Sequence, residues 1–537
     1  MPQNLQVCYL EPDISSREGL ITGLKNYFQH SNFLAEIRVV QGAREVVNDA
    51  LNGRVDVFVC DLSLQDDNAP LGLQVIAEVK KHCPWLFCIS VSRGEDFRMT
   101  EVESQIYCYD LFIPKVALTS GDKAILGEPN YVNRFLRRFR YSPIQTYSMP
   151  SEILEEVNGL SVSRESLLPL LRQIFSYQVP IDSSVMPTTI EVSELFGGRS
   201  ASRVFFLKVE ISTSMQSILP VVLKVSTQHN ALEEKRRYDS YVRWALPHQV
   251  RVDLMASAIT VGQGAVLYSF ASGNVDVFTF RESLAQANYN KCMSIVTKLF
   301  QNIGSFWQRL PISEERSLPE RYLNRYFDGN VGWFNADLSK IREFCDRLSL
   351  PINYRNHSVD IGGNTYPALG SFLQSGAGIL EGEVADEWSV VHGDLNPSNI
   401  IISNDDEVVL IDFRDSGMGH RYEDCVTLEG SMRMHWNWDS KMTGKELFLE
   451  LLETENRLNV STESLPDNQD NGWKLISHVR TSAEGTLSDS LSRNYFYALA
   501  YYCMRLMRID FLDDEQRVRI LACAFSSARA FQCFGKD

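Results

Sequence analysis

Short apolar runs alternate with segments of helical period over the first 120 residues. Residues 5–10 read as a strand and 17–28 as an amphipathic helix; 36–40 and 43–52 repeat the pair, and 55–60 and 72–82 repeat it again. Runs at 85–91 and 110–113 complete five strands. Strands separated by helices of this length predict βαβ units around a doubly wound parallel sheet. The third run, V-D-V-F-V-C, is apolar nearly throughout, as a strand covered on both faces must be.

From 121 to 185 the pattern loosens. Residues 131–141 (Y-V-N-R-F-L-R-R-F-R-Y) predict a basic, aromatic amphipathic helix, and 164–177 another, kinked or restarted at Pro169 and closed by Pro180. This stretch reads as a helical connector. From 186 strands return: 189–196, 203–211 and 217–226 predict an antiparallel meander, 230–245 a helix and 265–270 a further strand. The remainder reads as mainly helical, apart from a hairpin with strands at 399–403 and 408–411. The expected organisation is therefore 1–120, an α/β domain; 121–185, the connector; 186–275, a small lobe; and 276–537, a large helical lobe.

Composition changes this picture little. The 537 residues leave room for several domains, and a net charge of -16 argues against a nucleic-acid partner. Eleven cysteines without a C-x-x-C pair predict reduced thiols and a cytoplasmic setting. There is no signal-peptide pattern at the N-terminus. The apolar stretch 495–504 falls short of the roughly 18 residues a spanning helix needs, is followed by Arg505, and reads as buried. No membrane association is expected.

The hairpin carries candidate chemistry. Residues 390–399 read V-V-H-G-D-L-N-P-S-N, and 410–413 read L-I-D-F. Asp394 can accept or orient the proton of an attacking hydroxyl. Asn399 and Asp412, brought together by the hairpin, can hold Mg²⁺, a hard cation that takes oxygen ligands. Phosphoryl transfer needs little beyond such positioning and charge neutralisation. The ordinary alternative is that Asp394 caps a loop and Asp412 ends a strand. H-x-D alone leaves that open; the Asn five residues on and I-D-F after a hairpin favour a site.

These residues resemble the catalytic and metal loops of the aminoglycoside phosphotransferase and choline kinase group of the protein-kinase-like fold. The resemblance implies an α+β bilobal domain using ATP and Mg²⁺, with Asp394 as catalytic base, Asn399 and Asp412 on the metal, His392 organising the loop and Asp424 supporting it. It further implies that Lys224, in V-V-L-K, grips the nucleotide phosphates and pairs with Glu234 or its neighbour Glu233. Residues 196–202 (F-G-G-R-S-A-S) would cover the phosphates with Gly197, Gly198 and Ser200, although they depart from G-x-G-x-x-G, and 267–270 would face the adenine. D-F-R-D in place of D-F-G, with no A-P-E-like segment, favours small-molecule kinases over protein kinases. The insert at 281–385, with Trp307, Trp333 and Phe334, would supply core or an acceptor pocket. The second half also resembles ternary complex associated domains of bacterial multi-component systems.

In the first 120 residues Glu11, Asp61, Ser90 (or Ser92) and Lys115 fall at successive strand ends, which meet at the carboxyl edge of a parallel sheet. An Asp, a second acid, a hydroxyl and a Lys suit phosphorylation of Asp61, with Glu11 and Asp61 holding Mg²⁺, Lys115 neutralising the acyl phosphate and Ser90 sensing it. The pattern resembles a response-regulator receiver and implies a cognate histidine kinase or signalling complex as partner. Pro12 follows Glu11 where receivers carry a second acid, the next acid being Asp13, and the loop after Asp61 adds Asp66 and Asp67. A degenerate receiver used for docking is the alternative. The functional expectation is an ATP- and Mg²⁺-dependent phosphotransferase with an unidentified hydroxyl acceptor, regulated by the receiver. Two alternatives stand beside it: a catalytically silent nucleotide-binding scaffold, and nucleotidyl transfer.

Overall fold

The computed structural model describes residues 3–533 except 12–13, 32, 63–64, 67–68, 84–85, 93–108, 110, 120–145, 149–161, 163, 176–186, 196–201, 212–216, 261, 271–277, 308–311, 315–317, 328, 330, 356, 373–385, 404–405, 439–441, 461–469 and 488–491. The chain forms two compact units. One comprises Met1–Lys235 with Leu254–Phe270, the other Arg236–Asp253 with Ala271–Asp537.

The first unit opens with β1 (Gln3–Leu10), α1 (Ile14–His30), β2 (Phe33–Val39), α2 (Ala43–Leu51), β3 (Val57–Asp61), α3 (Leu71–His82), β4 (Phe87–Ser92), β5 (Leu111–Pro114) and the short α4 (Lys115–Thr119). The five strands are all parallel, in the order β2-β1-β3-β4-β5. Alternation along β3 serves both faces. Val57 and Val59 join Leu5, Val7, Tyr9 and the α1 residues Leu20, Leu24 and Phe28. Phe58 and Cys60 join Val46, Ile76 and Val79 on the other side. The strand order reverses between β1 and β3, which opens a crevice at their carboxyl ends. The described cysteines are free thiols, all buried except Cys533.

The same unit holds α5 (Arg164–Gln173) and a second sheet of β6 (Thr146–Ser148), β7 (Pro187–Glu194), β8 (Arg203–Ile211), β9 (Ser217–Thr227), β10 (Leu254–Ile259) and β11 (Gln263–Ser269), ordered β10-β11-β9-β8-β7-β6. The meander β7-β8-β9 is antiparallel. Leu167, Leu170, Leu171 and Ile174 pack on Val192, Phe205, Leu207, Val221 and Leu223 beneath it. Pro169 lies inside α5 without ending it. The expected helix at 131–141 and most of the connector lie outside the described residues.

After β9 comes α6 (Gln228–Arg237), which continues as a π-helical stretch, Tyr238–Val242, where the sequence suggested one α-helix to 245. Tyr238 explains the change in winding. Its hydroxyl donates to the Val252 carbonyl at 2.8 Å and its ring meets Phe413 edge-on at 5.6 Å, contacts that fix the side chain inward.

The second unit contains β12 (Phe278–Thr279), α7 (Phe280–Ala285), α8 (Tyr289–Trp307), β13 (Ile312–Glu314), α9 (Leu318–Phe327), α10 (Val331–Arg347), β14 (Ile352–Tyr354), β15 (Ser358–Ile361) and β16 (Asn364–Pro367). There follow β17 (Asp386–Val391), β18 (Ile400–Ile402), β19 (Val408–Leu410), β20 (Gly417–His420), α11 (Glu423–His435), α12 (Gly444–Val460), α13 (Asn471–Leu487), α14 (Arg493–Leu506) and α15 (Asp514–Cys533). Thr279 caps α7 with a capping box completed by Glu282. The sheet β14-β15-β16 lies in a region read as helical. Its strands are three or four residues long, too short to show a period of two. The helix α14, read as buried from its apolar run, is buried along nearly its whole length. Among the described residues no helix is long and apolar enough to cross a membrane.

Candidate functional site

The loop leaving β17 is fixed from three sides. Asp424, in the first turn of α11, accepts from the backbone N–H groups of His392 at 2.7 Å and Gly393 at 2.9 Å, one on each carboxylate oxygen. Hydrogen bonds to a charged partner contribute about 1.5–3 kcal/mol each. Arg325 of α9 donates to the Gly393 carbonyl and to Glu423 at 3.0 Å, and pairs with Asp415 at 3.2 Å. His392 is fully buried against Phe413, and its Nε2 donates to the Ile411 carbonyl at 2.9 Å. That bond fixes the tautomer, so Nδ1 is the acceptor that faces the Asp394 N–H at 3.4 Å.

Gly393 has φ of +81°, and a Cβ there would lie 2.2 Å from the Asp415 carbonyl oxygen. Both the backbone conformation and the space exclude a larger residue. Gly393→Ala is therefore expected to displace the 413–415 turn or the loop itself, with ATP turnover falling at least tenfold. Comparing turnover with the thermal melt of the variant checks this. A variant of unchanged turnover would show the loop to be unconstrained.

Within the loop, Asp394 Oδ2 accepts from the side-chain amides of Asn396 at 3.0 Å and Asn399 at 3.3 Å. The Asn399 amide also donates to the Asp394 carbonyl at 2.8 Å. Its Nδ2 is thus engaged, and among the described residues no donor reaches its Oδ1. The Ile411 N–H donates to the Asn399 carbonyl at 3.1 Å, which extends the β18–β19 register by one pair. Asp412, the next residue, adopts a left-handed conformation with φ of 62° and ψ of 70°. Such a conformation is costly for a non-glycine residue and is held by its surroundings. Asn399 and Asp412 therefore leave the same end of one hairpin.

These donors fit Mg²⁺: one carboxylate and one amide oxygen, the hard set this ion takes, with coordination left over for water and substrate phosphates. Among the described residues no group of three or more His, Cys, Asp or Glu side chains forms a more complete metal cage. Asp415, the added acid of D-F-R-D, is held below the usual carboxylate range. Burial pushes its pKa up, but the Arg325 and Arg414 guanidiniums outweigh burial. Its pairing with Arg325 commits it to holding the loop.

In the first unit, Lys224 on β9 and Glu234 on α6 form a buried pair at 3.0 Å, and the Tyr268 hydroxyl donates to Glu234 at 2.6 Å. Gly197, Gly198 and Ser200 lie outside the described residues, and nothing is described of the side chains of Trp307, Trp333 and Phe334. At the carboxyl edge of the parallel sheet, Lys115 pairs with Glu11 at 2.8 Å and also contacts Asp61. Tyr9 donates to Glu11 at 2.7 Å. All three ionic side chains are buried. Ser90 is buried opposite Cys60 in the β3–β4 register, two residues short of the strand end at Ser92, and its hydroxyl donates to the Leu111 carbonyl of β5 at 3.3 Å. Asp13 and Asp67 lie outside the described residues.

Several contributors were not singled out from the sequence. Tyr9 reads as one more core residue of β1. Arg321 and Arg325, one helical turn apart, both reach Glu423; their i,i+4 spacing on an aromatic helix was the available signal. Arg505 served only to end an apolar run, yet its Nη1 lies 3.8 Å from Asp394 Oδ1.

Residues 366–442, which contain the loop and the hairpin, match the model of the phosphotransferase enzyme family (APH). A thermostable mutant of aminoglycoside phosphotransferase APH(4)-Ia, in a ternary complex with ADP and hygromycin B, is similar at 10% identity over 63% of this chain and 95% of its own, with a TM-score of 0.35. The ethanolamine kinase of Plasmodium vivax is similar at 12% identity over 68% of this chain and 90% of its own, with a TM-score of 0.32. The aminoglycoside phosphotransferase APH(3'')-Id of Streptomyces rimosus, with ADP and streptomycin, is similar at 11% identity over 59% of this chain and 91% of its own, again with a TM-score of 0.32. No curated protein matches.

Proposed function

We propose that this protein is an ATP- and Mg²⁺-dependent phosphotransferase acting on an alcohol hydroxyl, with an N-terminal receiver-like domain that regulates it. The observation that carries the reading is the clamped loop. Asp394 presents one carboxylate oxygen that is not hydrogen-bonded within the loop, beside an Asn399–Asp412 pair suited to a hard cation, inside the segment that matches a phosphotransferase family.

In this reading Asp394 Oδ1 accepts the proton of the acceptor hydroxyl as the hydroxyl oxygen attacks the γ-phosphorus, the bond from that phosphorus to the β–γ bridging oxygen breaks, and ADP leaves. Asn396 and Asn399 hold the other carboxylate oxygen and so set the direction of the first. Asp424 and Arg325 keep the loop from relaxing between turnovers. Asn399 and Asp412 would hold Mg²⁺, which when bound neutralises charge on phosphate oxygens. Lys224, kept in place by Glu234, would grip the nucleotide phosphates. Calorimetry with Mg·AMP-PNP and an ATP-consumption assay on wild type and Asp412→Ala test this. Nucleotide binding and turnover in wild type, both weakened in the variant, support it. Binding without consumption would replace it with the scaffold reading, and no binding would remove both.

The receiver-like reading rests on the β2-β1-β3-β4-β5 order and on Glu11, Asp61 and Lys115 meeting at its carboxyl edge. Phosphorylation of Asp61 would transfer Lys115 from a carboxylate to an acyl phosphate and so shift a two-state equilibrium. Acetyl phosphate with Mg²⁺ is expected to add one phosphoryl mass to wild type and none to Asp61→Asn, read by intact-mass spectrometry. An adduct retained in the variant, or none in wild type, would leave the domain as a docking module.

A further inference from the structure

The carboxylate proposed as base has one open oxygen, and that oxygen has a cationic neighbour. Asp394 Oδ2 accepts from Asn396 and Asn399, whereas among the described residues Oδ1 accepts no hydrogen bond and lies 3.8 Å from Arg505 Nη1. A hydroxyl bonded to Oδ1 at about 2.7 Å therefore sits within roughly 6.5 Å of that guanidinium.

Arg505 is held by ring faces. Its guanidinium carbon lies 5.3 Å from the ring centre of Tyr326 and 5.6 Å from that of Tyr502. Tyr502 is itself anchored, its hydroxyl 2.8 Å from that of Ser431. Arg325, Arg433 and Arg480 all direct N–H groups at carboxylates or carbonyls. Arg505 makes no hydrogen bond among the described residues, although a guanidinium carries five donors and its side chain is 36% exposed. The hydroxyl of Tyr326, a residue 6% exposed, likewise has no hydrogen-bond partner among the described residues. Burial pushes that phenol well up from its ordinary value, so it remains a donor at any working pH.

An arginine oriented by two aromatic rings, with its fork open, suits an oxyanion engaged through two N–H groups. The same arrangement disfavours a cationic acceptor. The ring faces that could cradle an ammonium are already covered by Arg505, and its charge would oppose one.

Resting on the reading of Asp394 as the base, we infer that the acceptor is an anionic hydroxy compound, with a carboxylate or phosphate close to the hydroxyl that is phosphorylated, and that Arg505 determines this specificity.

The test is ATP turnover by the full chain with glycerate, glycerol 3-phosphate, choline and kanamycin as probes. Glycerate or glycerol 3-phosphate is expected to accelerate turnover, and which of them does so separates carboxylate from phosphate recognition. Choline and kanamycin are expected to give no acceleration. Arg505→Gln should raise KM for the anionic probe about tenfold or more with kcat within about threefold, and Arg505→Lys should recover part of the loss. Acceleration by a cationic probe, or by no anionic probe, overturns the inference. So does a loss in kcat shared by every acceptor, which would place Arg505 on the transferred phosphoryl group. Acceptor-free Mg·ATP turnover by wild type separates the two levels. Its presence without anion preference sinks only this inference, and the absence of ATP turnover both without acceptor and with all four probes sinks the phosphotransferase reading as well.

Discussion

Replacing Asp394 by alanine is expected to lower acceptor-dependent kcat by about 10²–10⁴, the usual worth of a positioned general base, or about 2.7–5.5 kcal/mol of activation free energy. Mg·ATP affinity should move by no more than a few-fold, because the carboxylate is directed at the acceptor hydroxyl and not at the nucleotide. Alanine also releases the two amides that Asp394 Oδ2 organises, one of them on the proposed metal ligand Asn399. Asp394→Asn is therefore the cleaner variant: it keeps the side chain's shape and removes its basicity. Asp412→Ala should show the opposite division, with Mg²⁺-dependent nucleotide binding weakened along with turnover. Steady-state kinetics with calorimetry on the three variants measure the split. Equal kcat for wild type and Asp394→Asn would remove the base from the account.

The largest stability effect is expected away from the loop, at a buried ionic cluster behind α11. Arg480 donates to both oxygens of Glu429, at 2.9 and 2.7 Å, and Tyr495 donates to the same carboxylate. Arg433 lies 2.9 Å from Glu429 and donates to both oxygens of Glu455 at 2.6 and 2.9 Å. None of these four charged side chains is more than 1% exposed. Two acids and two arginines balance, so removing one member leaves an uncompensated buried charge. Arg480→Ala should cost about 3–5 kcal/mol, where substituting the whole cluster by apolar residues need not. At about 2–4 °C per kcal/mol for a unit of this size, the melting temperature should fall by roughly 6–20 °C. Arg457→Ala, which breaks an exposed pair with Glu453, should change stability by no more than about 0.5 kcal/mol.

The cluster also carries a pH dependence. Burial alone would raise the Glu429 pKa, but the Arg480 and Arg433 guanidiniums overcome it and hold the carboxyl down to about 2, from an ordinary 4.5. Between those values the unfolded chain binds a proton that the folded chain does not. The stabilisation is thus complete above 4.5 and is lost as pH falls towards 2. The stability gap between wild type and Arg480→Ala should accordingly shrink over that window in urea titrations. A gap that widened on acidification would contradict the assignment.

What could be read in the sequence depended on how local its cause was. The first sheet was legible because its strands are covered on both faces, and V-D-V-F-V-C carries that fact in six residues. The loop was legible because Asp394, Asn399 and Asp412 fall within one short stretch, a loop followed directly by a hairpin. Contributions from distant elements were not. Nothing in the apolar run before Arg505 signals that it packs on Tyr326 of α9. Nothing in the alternation of β1 separates Tyr9, whose hydroxyl serves Glu11, from its neighbours Leu5 and Val7. Glu429, Arg433 and Arg480 look like ordinary surface charges until α11, α12 and α13 are packed together. The π-helical stretch at Tyr238 likewise follows from its contacts with Val252 and Phe413.

Phosphorus NMR of ATP incubated with Mg²⁺ and the wild-type chain, with glycerate and glycerol 3-phosphate offered as acceptors, reaches the central claim most directly. The account predicts conversion of the γ-phosphorus resonance into a phosphate-ester resonance with ADP as co-product, abolished by chelating Mg²⁺ and by Asp394→Asn. Release of pyrophosphate with an AMP adduct, or a spectrum identical for wild type and Asp394→Asn, would contradict it.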